Sequence, residues 1–348
     1  MRIHVLCTDG SPLGVTLKDL WGEGNRGIGL GGSEYALLTM CEEWHKAGHE
    51  VVLFNNPVTP GGSPFEQRCV HEFETQSPRD VLIIFRSPNG QANVVSNCLK
   101  VWWSCDQFTI GDYQAFSGRV HKIVCISNFH ADYFARTYGI GNATVIDLPI
   151  RIGDLEDAGR VEKVPKKVIF TSVPERGLHY LRGVWPLIQD KCPDVSLTIT
   201  SDYRLWGVEE RNWHHREQWM GLRNVNFLGA VPRKQLIVEQ LESQILAYPN
   251  IYDELFCVSV AEAQCAGVYP VTSNVGALSS TNMGRIIDGN PVYDEYFRMK
   301  FVDAVSDLLN TDEENLRQLQ NHVQNLAITR FHPNNIVKQW DEKVFSGG

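Results

Sequence analysis

The sequence predicts an α/β protein of two doubly wound domains, each a parallel sheet with helices on both faces. Three observations carry this expectation. Short apolar strands alternate with helical patterns from end to end, which implies parallel sheets covered on both sides. The alternation is interrupted once, by a polar and charged stretch at 151–166, and then restarts. The chain has 348 residues, enough for two separate cores.

The elements follow in order. Residues 2–7, 51–54, 81–85, 101–103, 123–126 and 144–146 read as strands, each a short apolar run between polar or turn residues. The clearest helix of this half is 32–47, with Ala36, Leu37, Met40, Cys41 and Trp44 at helical spacing. After the linker, 167–171, 196–200, 225–227, 244–247 and 269–272 read as strands, with helices at 178–190, 233–241 and 255–266 between them. Helical patterns continue over 303–309 and 313–329. The expected organisation is therefore 1–150, a linker at 151–166, 167–330, and a final helix within 331–348. That helix opens at Pro333 and carries Ile336, Val337, Trp340 and Val344.

Composition narrows the function. Lys plus Arg number 32 against 41 Asp plus Glu, a net charge of −9, which argues against nucleic acid as a partner. No segment approaches the roughly 20 apolar residues of a membrane span. The apolar run 3–7 is too short for a signal peptide and ends at Asp9-Gly10. The nine cysteines are scattered without a C-x-x-C pair, which predicts free thiols in the cytoplasm and no zinc site.

The most informative stretch runs from Tyr248 to Gly267. A short buried strand ends there, Pro249 and Asn250 break the chain, and 255–266 suits a helix closed by Gly267. Glu254 then stands at the helix entrance and Glu262 inside it, among Ala261, Ala263 and Ala266. Glutamate is rarely buried without a partner. Spacing alone fits Glu254 as a cap and Glu262 as half of a core salt bridge. Spacing alone favours that reading; the alternative is two carboxylates that meet hydroxyls beside a helix N-terminus suited to phosphate.

This stretch resembles the E-x(7)-E signature of the retaining glycosyltransferases of family four, which have the GT-B fold of two facing Rossmann-like domains. The segment 267–277 resembles the family's next strand and glycine-bearing loop, and 225–232 its strand and base-binding turn, with Val231 in the turn. The match is specific in the second half and looser in the first. It implies a nucleotide-sugar donor, UDP- or GDP-linked, as substrate, a glycan or other hydroxyl acceptor, and no cofactor. It also implies no metal, since no carboxylate pair resembles a D-x-D motif. The donor is expected mainly on the second domain.

The resemblance also assigns roles. Glu262 meets the ribose hydroxyls and Glu254 the transferred sugar, while Phe256 and Cys257 turn backbone N–H groups to the diphosphate. Arg176, in Phe170–Leu178, holds the leaving group where the family usually has lysine. A cation at a helix start is unfavourable unless an anion is present, which independently marks it. The family's second cation falls at Thr171, so one charge is missing; Arg204 and Arg86 are the possible substitutes, and the Ser172 hydroxyl is a further donor. In the first half, Gly31 and Gly32 resemble a phosphate- or sugar-facing glycine loop. Asp106 follows Cys105, where the family often has histidine, and Ser127 opens a helix.

The expected activity is thus retaining, metal-independent sugar transfer. The alternatives are a nucleotide-sugar-binding subunit without turnover and a GT-B sugar-nucleotide epimerase. A dinucleotide oxidoreductase fits poorly, because no compact G-x-G-x-x-G follows the first strand. Trp206, Trp213 and Met220, seven apart, read as a packed face.

Overall fold

The computed structural model describes residues 1–8, 14–23, 27–59, 61–95, 97–206, 208 and 212–347, without the side chains of 206, 212–214 and 347. The chain divides into two compact units. Unit 1 comprises Met1–Arg26, Gly32–Pro149 and Pro333–Gly348, and unit 2 comprises Gly27–Gly31 and Ile150–His332.

Unit 1 holds β1 (Arg2–Leu6), α1 (Leu17–Leu20), α2 (Gly32–Lys46), β2 (Glu50–Phe54), β3 (Glu66–Arg68), β4 (Val81–Phe85), β5 (Leu99–Trp103), α3 (Tyr113–Ser117), β6 (Lys122–Cys125), α4 (Asn128–Tyr138) and β7 (Thr144–Val145). Its seven strands are ordered β3-β2-β1-β4-β5-β6-β7, and every neighbouring pair is parallel. Both faces are covered, so β4 is buried at all five positions, as its unbroken run Val-Leu-Ile-Ile-Phe requires.

Unit 2 holds α5 (Ile152–Asp157), β8 (Lys167–Phe170), α6 (Leu178–Lys191), β9 (Ser196–Ile199), α7 (Asn212–Glu217), β10 (Val225–Phe227), α8 (Arg233–Glu242), β11 (Ile245–Tyr248), α9 (Val258–Cys265), β12 (Tyr269–Ser273), α10 (Leu278–Thr281), β13 (Arg285–Ile287), α11 (Phe297–Asn310) and α12 (Glu313–Phe331). Its six parallel strands are ordered β10-β9-β8-β11-β12-β13. In such sheets the strand order reverses once, and ligands bind beyond the carboxyl ends of the strands at that point. The reversal lies between β1 and β4 in unit 1 and between β8 and β11 in unit 2.

The last helix, α13 (Pro333–Lys343), belongs to unit 1. Trp340 packs edge-on against Trp44 of α2 at 5.1 Å and against Trp103 of β5 at 5.4 Å between centroids. All three rings are almost fully buried. Burying a large apolar side chain contributes about 1.5–3 kcal/mol, so this triangle anchors the chain end firmly.

Four sequence expectations need correction. Residues 151–166 are not a uniform solvated tether, since Ile152–Asp157 is helical and buries Ile152, Asp154 and Leu155. The helix expected from 255 begins at Val258, because Cys257 sits in the left-handed region (φ 76°) and interrupts the helical path. Two edge strands lie outside the expected set: β3, Glu-Gln-Arg, has no apolar residue, and β13 is only three residues long. In the expected packed face Met220 is 70% exposed, while the side chains of Trp206 and Trp213 lie outside the described residues.

Candidate functional site

The turn after β8 and the loop after β11 meet at the reversal point of the unit 2 sheet. Two glycines make the approach possible. A side chain on Gly177 (φ 104°) would collide with the Pro249 carbonyl. One on Gly276 (φ 63°) would collide with the backbone of Glu254. Ala277 N–H donates to the Glu254 carbonyl at 2.7 Å, and the buried Asn250 side chain bonds both N–H and C=O of Tyr252. The loop carrying Glu254 is therefore fixed by backbone contacts on both sides.

This brings Arg176, Glu254 and Ser172 together. Arg176 Nε donates to Glu254 Oε1 at 3.0 Å. The Tyr248 hydroxyl lies 3.1 Å from the same oxygen and 3.2 Å from Ser172 Oγ. The Arg176 guanidinium also stacks over the Tyr252 ring at 3.5 Å. Burial opposes the arginine's charge, but Glu254 and the neighbouring tyrosines outweigh it, and its pKa stands above the ordinary value. Burial, with the charge of Glu254, pushes the Tyr248 phenol well above its ordinary value, so it stays a proton donor. Neither Tyr248 nor Tyr252 carries a sequence signal of its own: the expected strand ends at Ala247, and the structure extends it to Tyr248.

Glu262 lies elsewhere in unit 2, on the buried side of α9, and is 4% exposed. Arg233 Nη1 stands 2.8 Å from its Oε1, and Gln240 Nε2 donates to its Oε2 at 3.2 Å. Arg233, 3% exposed, opens α8 directly after Pro232. Its Nε donates to Asp154 Oδ2 at 2.6 Å, and Arg151 Nε donates to the same oxygen at 2.9 Å. Of the two readings that spacing left open, the core salt bridge describes the observed contacts of Glu262.

Phe256 and Cys257 lead into α9, whose N-terminus has no side-chain cap, so its first amides suit an anion. The Phe256 ring is buried against Phe331, which leaves its backbone as its polar group. Burial also raises the Cys257 thiol far from reactivity. Val231 accepts a hydrogen bond from Gly29 N–H at 3.2 Å. This ties the first part of the glycine loop, up to Gly31, into unit 2. Arg204 is held by Asp202 through Nε at 2.7 Å and donates to the Ala230 carbonyl at 3.1 Å.

Unit 1 carries a second charged group at its strand ends. Gly32 opens α2, and Glu34 in its first turn lies 3.9 Å from Arg86. Arg86 follows β4 with a left-handed backbone (φ 68°) and donates to Asp106. Cys105 is a buried thiol raised well above its ordinary pKa, first by burial and then by Asp106. A histidine does stand near: His130, fully buried in the first turn of α4, accepts from Ile126 N–H at 3.3 Å. Burial lowers its pKa to about 3, so it is neutral. Ser127 caps α4 by accepting from His130 N–H. Phe108, Asp112, Tyr113, Gln114, Thr137 and Tyr138 line a cavity of about 460 Å³.

Residues 161–325 match the family model described as glycosyl transferases group 1. No curated protein matches the sequence. A glycosyltransferase structure from Rickettsia africae aligns over 100% of this chain and 99% of its own, with 14% identity and a TM-score of 0.73. Sucrose-phosphate synthase from Thermosynechococcus elongatus aligns over 100% of both chains, at 14% identity and 0.70. Anabaena HepE, solved with UDP and glucose, aligns over 99% of this chain and 100% of its own, at 16% and 0.67. At such identities these likenesses speak for the fold, which is GT-B. The family match over 161–325 points to a glycosyltransferase.

Proposed function

We propose that the chain is a retaining, metal-independent glycosyltransferase that moves a sugar from a UDP- or GDP-sugar to an acceptor hydroxyl. One observation carries the reading. Arg176, Glu254, Tyr248 and Ser172 converge beyond β8 and β11, at the reversal point of the sheet in the segment that matches the family model. That the structurally similar HepE binds UDP-glucose supports a nucleotide-sugar donor.

Sugar transfer needs charge stabilisation in two places: on the departing nucleoside diphosphate and on the oxocarbenium-like ring. In this reading Arg176 and the uncapped amides at the start of α9 hold the diphosphate, with Ser172 and Tyr248 as neutral donors. Glu254 faces the transferred sugar. A donor phosphate oxygen takes the acceptor proton in a front-face displacement. When the diphosphate arrives, Arg176 turns part of its hydrogen bonding from Glu254 to phosphate, which frees a carboxylate oxygen for a sugar hydroxyl. Within unit 1, Asp106 with Arg86 is the pair read as meeting the acceptor, and within unit 2, Gly31 offers its backbone to the donor.

The deciding experiment is a panel of UDP-, GDP- and ADP-sugars. A ligand at 100 times its dissociation constant raises unfolding free energy by about 2.7 kcal/mol, so the right base stands out in a thermal melt. Chromatography of the same mixtures then separates the outcomes. Transfer products or slow donor hydrolysis fit the proposal. A new donor epimer without acceptor makes the chain an epimerase, and binding without any product makes it a subunit without turnover.

A further inference from the structure

We infer that Arg233 is a positioning residue that fixes the carboxylate of Glu262 for the ribose, and that Asp154, in α5, holds Arg233 in turn. This rests on the donor reading above, extended to Glu262 as the ribose acceptor that the family resemblance implies. Arg151, Asp154, Arg233 and Glu262 form a continuous run of alternating charge inside unit 2, with contacts of 2.9, 2.6 and 2.8 Å. The three side chains of the Asp154–Arg233–Glu262 part are each at least nine-tenths buried.

Burying such charges is costly, and well-packed apolar residues of similar volume often serve stability as well or better. What the run supplies is geometry. Gln240 holds Glu262 Oε2 at 3.2 Å, and Arg233 sits beside Oε1 at 2.8 Å. The Arg233 nitrogen approaches off the hydrogen-bond axis, so Oε1 lacks an aligned donor and keeps acceptor capacity. A ribose hydroxyl supplies the donor that is missing. Arg233 follows Val231 and Pro232 directly, so the turn resembling the family's base-binding turn and the ribose carboxylate are set by one short segment. The Arg233 guanidinium faces Asp154 and Glu262 at once, and a single lysine ammonium cannot reproduce that fork.

The test measures binding of UDP, GDP and ADP and of their 2′,3′-dideoxy forms to the full chain and to the variants Arg233→Lys and Asp154→Asn. Arg233→Lys keeps the charge and Asp154→Asn the shape, and melting is recorded on the same samples. The wild type is expected to prefer the ribose form of its nucleotide by about tenfold or more, the scale of a hydrogen bond to a charged group. Arg233→Lys should bring the preference within about twofold while the dideoxy form binds as before, and Asp154→Asn should fall between. A purely structural role would weaken both forms equally and leave the ratio intact, which overturns the inference. A wild type that binds a nucleotide but ignores its ribose hydroxyls overturns the ribose reading itself, and the inference with it.

Discussion

Glu254 and Glu262 stand eight residues apart, and their surroundings differ in kind. Glu254 lies in a loop, its side chain 15% exposed, with an arginine stacked on Tyr252 and a tyrosine hydroxyl as partners. Glu262 lies in a helix, 5% exposed, with an arginine that is itself locked by Asp154. The first carboxylate has a partner for which a phosphate can compete. The second has a partner that cannot leave without stranding charge in the core. One residue type thus stands in a partly exposed loop and in a locked helix, and the difference comes from what the neighbours are tied to.

The largest test of this contrast is Glu262→Ala. It takes one carboxylate from a buried arginine that keeps Asp154, so the cost should approach but not reach the roughly 3–5 kcal/mol of breaking an isolated buried pair. Denaturant unfolding should show that loss, together with weaker nucleoside diphosphate binding. A loss under about 1 kcal/mol, the scale of exposed pairs, would mean that Glu262 is not fixed as described.

Arg176→Ala comes next. Leaving-group charge grows in the transition state, so turnover should fall about a hundredfold or more while donor affinity falls less. Unchanged kinetics would put the diphosphate on another cation, with Arg204 the first to examine. Glu254→Gln should then cost about tenfold in turnover and leave nucleoside diphosphate affinity intact, because it weakens a charged hydrogen bond to the sugar alone. Should Glu254→Gln lose that affinity and Glu262→Ala keep it, the two assignments are exchanged. The smallest effect belongs to Tyr248→Phe. It removes one donor shared by Glu254 and Ser172, so a change of about 1 kcal/mol in the turnover barrier is expected. A larger drop would give Tyr248 a direct contact with substrate.

Much of this was legible beforehand. Arg176 declared itself as a cation at a helix start, and Glu254 by its place after a buried strand. Both are local signals. Tyr248 gave none, because a tyrosine ending a strand looks like any core aromatic until its hydroxyl has a partner. The start of α9 was misjudged by three residues, since Leu255 and Phe256 suit a helix and only the left-handed turn at Cys257 delays it. The edge strand β3 leaves no apolar signal because an exposed edge needs few apolar residues, and β13 is too short a run to stand out.

By itself the sequence determined the two doubly wound sheets, since burial on both faces writes a continuous apolar run into each central strand. It also marked the strand ends at which glycines and charges gather. Tertiary structure alone decided which charges meet. Arg176 and Glu254 are 78 residues apart, and Arg233 and Asp154 are 79 apart. Periodicity reports a residue's environment within a few positions. Pairing across such distances is set by strand order, which brings β8 beside β11 and seats α5 against α8.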